Sequence, residues 1–248
     1  MGLPRGKLIV VANADAMART AAERISAHLR PRDRRFAICL TGGSSPEGLY
    51  ELLATEPYRE AWPWKHIHVF WGDDRYVPQD DRLSNFGAAQ RLLLEHVPIP
   101  SGNIHAIPTS AASPEEAARQ YEAELHRFYG AERLDPARPI FDVVLMGVGT
   151  DGHTASLFPG QATLEEKDRW VVGVTQAGLA PFVPRVTLTY HALAATREML
   201  FLVDGDGKRQ VMREVLAGAD LPATRAHAWG NLVWLVTRDA APERRDVA

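Results

Sequence analysis

Along the chain, apolar runs alternate with amphipathic stretches from end to end. Residues 7–13 (KLIVVAN), 35–40 (RFAICL), 66–75 (HIHVFWGDDR), 140–148 (IFDVVLMGV), 169–175 (RWVVGVT), 198–205 (EMLFLVDG) and 231–237 (NLVWLVT) read as strands. Residues 14–30 carry Met17, Ala21, Ile25 and Leu29 at helical spacing, and 83–97, 113–130 and 207–219 also read as helices. Ser113 stands as an N-cap with Glu116 three residues on. After residue 40, TGGSSPEGLYELLATEP reads as a glycine turn running into a helix. Several strands are apolar on both faces, which a parallel sheet covered by helices on both sides requires. The proline-containing stretches 98–108 and 178–185 read as loops, and no repeat, linker or composition break divides the chain. The pattern predicts one doubly wound α/β domain over 1–248.

Composition narrows the partners. A net charge of −3 gives no polyanion-binding surface, so nucleic acid is not an expected partner. The apolar run near the N-terminus is too short to span a membrane and is badly flanked for a secretory signal. Gly2 lacks the Ser or Thr at position six that myristoylation needs. The single cysteine, Cys39, reads as a small buried strand residue in a reducing compartment. These features predict a cytoplasmic protein. His66 and His68 have no third ligand nearby, so no metal site is expected.

Ligands of doubly wound sheets bind outside the carboxyl ends of the strands, so the polar residues there carry the chemistry. In LTGGSSPEGL, Gly42 and Gly43 turn the chain and Ser44 or Ser45 caps a helix with Pro46 in its first turn. This is either a phosphate cradle or a plain capped turn. In FWGDDRYVPQDDRLSNF, Asp73, Asp74 and Arg75 suit acid–base work or hydroxyl recognition, or form a solvated ion pair. Gly147-Val148-Gly149-Thr150-Asp151-Gly152 formally matches the dinucleotide fingerprint. That reading fails, because Phe158-Pro159-Gly160 interrupts any following helix and the next strand ends in Thr175 without an acid. A turn that presents His153 two residues after Asp151 suits a general base instead. Arg185 and Lys208 are cations after a proline-rich loop and at a helix start. Lys208 opposes the helix dipole there, a conflict that a bound anion would remove.

Taken together, LTGGSSPEGLY, VFWGDDRYVPQDDRLSNF, FDVVLMGVGTDGHTASLFPG, PRVTLT and GDGKRQVMREVL resemble, in order, the 6-phosphogluconolactonase family. That family lies within the wider glucosamine-6-phosphate isomerase/6-phosphogluconolactonase group. The resemblance implies a Rossmann-like, mostly parallel sheet flanked by helices and a sugar-phosphate substrate. It implies cofactor-free and metal-free hydrolysis of 6-phospho-D-glucono-1,5-lactone in the oxidative pentose phosphate pathway. Carried over, His153 is the base, with Asp151 and Asp73 beside it in the catalytic set. Gly42, Gly43, Ser44, Arg185 and Lys208 hold the phosphate, and Arg75 and Asn85 line the sugar side. Asp74 departs from the glutamate common in the family. The sister deaminase of glucosamine 6-phosphate needs a glutamate five residues after the loop histidine, where this chain has Phe158. A non-catalytic sugar-phosphate binding module is the remaining alternative.

Overall fold

The fold is a computed structural model, which describes residues 6–29 and 34–242. The Gly2 reading and the last residue of the helix expected over 14–30 lie outside that set. The elements, in chain order, are strands β1 (Lys7–Val11), β2 (Phe36–Leu40), β3 (Ile67–Trp71), β4 (Asp73–Arg75), β5 (Ile104–His105), β6 (Phe141–Met146), β7 (Val171–Val174), β8 (Arg185–Leu188), β9 (Thr196–Val203) and β10 (Asn231–Thr237). The helices are α1 (Ala14–His28), α2 (Glu47–Leu53), α3 (Tyr58–Ala61), α4 (Asn85–Leu92), α5 (Pro114–Tyr129), α6 (Tyr190–Ala194), α7 (Arg209–Leu216) and α8 (Pro222–Arg225).

Seven strands form one parallel sheet in the order β1-β10-β9-β6-β2-β3-β5. The central strands β2 and β6 are buried at every position, so the doubly apolar runs mark strands covered on both sides. Cys39 is fully buried within β2. From β2 the chain runs outward through β3 to β5, then returns to β6 on the other side of β2. The loops after β2 and β6 therefore diverge at a topological switch point, where such sheets open a crevice.

Three assignments need correction. The stretch 98–108 is not all loop, since it holds the two-residue edge strand β5, paired with β3. The run 66–75 is not one strand: His66 sits in a short 3-10 turn, β3 ends at Trp71, and β4 follows as part of a second sheet. That sheet is antiparallel in the order β4-β8-β7, so the strand expected over 169–175 belongs to it and not to the main sheet. Residues from 185 onward form β8, an element the sequence pattern does not reveal. The polar sequence of β4 hides its strand character, because its hydrogen-bond partners come from β8, far along the chain. Helix α5 covers the small sheet: a Cβ on Gly173 of β7 would fall 2.8 Å from the backbone nitrogen of Glu115. Its N-cap, Ser113, accepts from the Glu116 amide at 3.1 Å as expected.

Candidate active site

The turns after β2, β3, β6 and β9, together with the start of β8, enclose a cleft of about 360 Å³. Gly42, Gly43, Ser44, Asp73, Arg75, Asn85, His153, Arg185 and Lys208 all line it. Of the residues expected at the site, Asp151 alone stands behind this lining.

The loop after β6 holds His153 in a fixed pose. Its Nδ1 lies 2.5 Å from Oδ1 of Asp151, and the same oxygen accepts from the His153 amide at 3.1 Å. A carboxylate at Nδ1 selects the tautomer that carries its proton there, which leaves Nε2 as the free nitrogen of a ring lining the cleft. Burial pushes the Asp151 carboxyl up, but its hydrogen bonds and charge contact with His153 pull it below its ordinary value. Asp151 thus stays ionised and orients the imidazole. Gly149 makes room for the pair: a Cβ there would sit 2.0 Å from His153 Nδ1 and 2.6 Å from Asp151 Oδ1. The glycines of this loop serve side chains, which explains the accidental match to the nucleotide fingerprint.

Asp73 is buried, with Oδ2 accepting from Ser156 Oγ at 2.6 Å. Asn85 Nδ2 donates to the Asp73 carbonyl at 2.9 Å and to its Oδ1 at 3.3 Å. Ser156 and Asn85 thus hold this carboxyl group in place from both sides. Asn85 also packs into the space left by Gly42, where a Cβ would lie 1.9 Å from Asn85 Oδ1.

Asp74 points the other way. It is fully buried and accepts from the amides of Arg75 and Asn85 at 2.7 Å and of Phe86 at 3.0 Å, with Ser84 Oγ at 3.3 Å. Its job is to seat the start of α4, and with it Asn85. A longer glutamate would have to fit a different arrangement of the same amides.

Three cations meet at the cleft. Register places Arg75 of β4 opposite Arg185 of β8. Arg185 is buried, and its guanidinium donates to the carbonyls of Pro181 at 2.9 Å and Val183 at 3.3 Å, not to a carboxylate. Burial pulls its pKa down, partly offset by the charge of Asp73. Arg75 donates from Nη1 to the Leu83 carbonyl at 2.8 Å, while its Nε has no partner. Lys208 sits at the N-cap of α7, half-buried, its pKa lowered by burial against the attraction of Asp151. Gathering one buried and two half-buried cations with so little direct anionic pairing suits a site that receives an anion.

The turn after β2 differs from expectation in one respect. Helix α2 starts at Glu47 with Pro46 at its N-cap and no side-chain cap, so neither Ser44 nor Ser45 caps it. Both serines line the cleft instead. Gly43 has φ +87°, a left-handed turn that only glycine takes without strain. The turn is held from below by Tyr50, whose hydroxyl donates to the Thr41 carbonyl at 2.6 Å and accepts from its amide at 3.2 Å. Tyr50 and Ser156 escaped the sequence reading as site residues. Each acts through a partner fixed only by the fold, although Tyr50 does fall on the expected helix.

The fold belongs to a known class. The family of glucosamine-6-phosphate isomerases and 6-phosphogluconolactonases matches residues 11–234, and the chain belongs to that family. Within it, the chain is 42% identical to the 6-phosphogluconolactonase of Synechocystis sp., over 84% of each chain. It is 40% identical to that of Mycobacterium tuberculosis, over 82% of this chain and 83% of the relative. The crystal structure of 6-phosphogluconolactonase from Thermotoga maritima superimposes with a TM-score of 0.80 at 32% identity, covering 94% of this chain and 99% of that one.

Proposed function

We propose that the chain hydrolyses 6-phospho-D-glucono-1,5-lactone to 6-phosphogluconate, the reaction that the oxidative pentose phosphate pathway requires. The observation that carries this reading is one cleft in which a carboxylate-oriented imidazole meets Arg75, Arg185 and Lys208. His153 Nε2 takes a proton from water as the water oxygen bonds to lactone C1. The C1–ring oxygen bond then breaks, and the imidazolium returns the proton to the departing oxygen. Arg185, Lys208 and the Gly43–Ser44 amides hold the phosphate, and this remote binding orients the reacting carbon. Asp73, Asn85 and Arg75 face the sugar, and Arg75 or the loop amides meet the charge that develops on the carbonyl oxygen.

Phe158 argues against the deaminating branch of the family. It occupies the place where that reaction is expected to need a glutamate, and it is fully buried in an apolar cluster. Asp151 and His153 stand intact and hydrogen-bonded, which argues against a binding module without catalysis.

The deciding measurement supplies freshly generated lactone and follows 6-phosphogluconate through a coupled dehydrogenase, with glucosamine 6-phosphate as a parallel substrate. Turnover of the lactone alone is expected, and His153→Ala should lose about a hundredfold or more of it while keeping its thermal transition. Near-wild-type turnover by that variant overturns the assignment of the base.

A further inference from the structure

Phe158 does not line the cleft, yet it packs against two residues that do. Its ring centroid lies 4.7 Å from that of His153, with the planes inclined by 38°. The guanidinium carbon of Arg185 stands 5.8 Å from the same ring. A third side is closed by Gly178, where a Cβ would fall 2.9 Å from Phe158 Cβ and 3.0 Å from Cγ. The ring belongs to a small apolar cluster, separate from the main core, with Val174, Ala177 and Leu179. Leu179 in turn lines the cleft. The segment seated on the ring thus continues into Pro181 and Val183, whose carbonyls receive the Arg185 guanidinium.

The hydrogen bond that His153 Nδ1 donates to Asp151 fixes the imidazole at one edge and leaves it free to swing about that edge. A flat, buried ring against its face removes this freedom. The same ring sets the height of the segment that steers Arg185. Resting on the hydrolytic reading above, we propose that Phe158 is a positioning residue, the common packing surface that fixes the general base relative to the phosphate-binding arginine. It is fully buried and does not line the cleft. Its effect is geometric, and displacing a reacting group by about 1 Å costs on the order of a hundredfold in rate.

Two substitutions displace the ring's surface from opposite directions. Phe158→Leu keeps the apolar volume but removes the flat face. Gly178→Ala deletes nothing and drives a methyl into the ring. For each, kcat, KM, the Kd for inorganic phosphate, the NMR titration of the His153 imidazole and the thermal transition are measured. Both variants should unfold cooperatively, with kcat lowered about tenfold and the phosphate Kd raised about fivefold. The His153 titration should shift in both. A folded Phe158→Leu protein with wild-type kcat and wild-type phosphate Kd overturns the proposal, and so does a change in only one of the two. Should Phe158→Leu fail to fold, Gly178→Ala decides by the same criteria. Phosphate binding and the imidazole titration need no turnover. A protein that hydrolyses no lactone, yet changes in both on losing the ring, overturns the functional reading and sustains the positional one.

Discussion

At the residue scale the two adjacent carboxylates, Asp73 and Asp74, have opposite duties, decided by which way each β4 side chain points. Asp73 faces the cleft, held by Ser156 and Asn85. Asp74 faces the amides of α4, and burial pushes its carboxyl up to about 6 against the pull of the Phe86 and Asn85 N–H groups. The folded protein therefore holds a proton on Asp74 that the unfolded chain releases at lower pH. The resulting stabilisation is full below the ordinary aspartate range and is lost as pH rises towards and through 6. Asp74→Asn removes this dependence and turns an amide NH2 towards backbone donors. It should be less stable than wild type, with the gap narrowing as pH rises from about 4.5 to 7. Thermal denaturation across that range checks this, and a constant gap would assign the raised pKa elsewhere. Alternation in β4 signals that the two neighbours diverge, but only once β4 is known to be a strand.

At the element scale, six of the seven strands of the parallel sheet could be read directly, the exception being the two-residue β5 inside a stretch that reads as a loop. Their runs are apolar on both faces, and β10 matches its expected range from 231 to 237. In the small antiparallel sheet β7 could be read as a strand, while β4 and β8, which carry site residues, could not. The residues Asp-Asp-Arg look like a loop until β8 pairs with them. The polar clusters at strand ends were legible for the same reason that they work, since a Gly-Gly turn or a Gly-Thr-Asp-Gly-His loop has no place in a core. Their supports were not legible, because Ser156 meets Asp73 across 83 residues of sequence. Tyr50 is such a support, tying α2 to the end of β2. Tyr50→Phe strands the Thr41 amide and carbonyl in a buried setting, at a cost of about 1–3 kcal/mol. Chemical denaturation should show that loss, and kcat/KM should fall with it because the Gly42–Gly43 turn loosens. A stability loss with unchanged kcat/KM would confine Tyr50 to the fold.

At the scale of the whole molecule, the cleft is where the two sheets meet. Arg75 and Arg185 come from the small sheet, while His153 and Lys208 follow strands of the large one. A phosphorylated ligand in the proposed pose bridges both, so 6-phosphogluconate should raise the melting temperature in proportion to its occupancy. Lys208→Ala should lose most of that rise while keeping its own unliganded transition. An undiminished rise would remove Lys208 from the phosphate contacts. No helix among the described residues is long and apolar enough to cross a membrane.

The glycines of the cleft wall bear on any attempt to redesign it. At residues 42, 149 and 178 the place of a β-carbon is already taken, by Asn85, by His153 and by Phe158. Gly43 has open space but a left-handed backbone. Mutational libraries at 42, 43 and 149 should return almost nothing but glycine, with alanine at 178 the tolerated exception. New substrate preference has to be sought at such positions as Ser44, Ser45, Thr150 and Leu179, lining side chains that neither hydrogen-bond the base nor occupy a glycine's void.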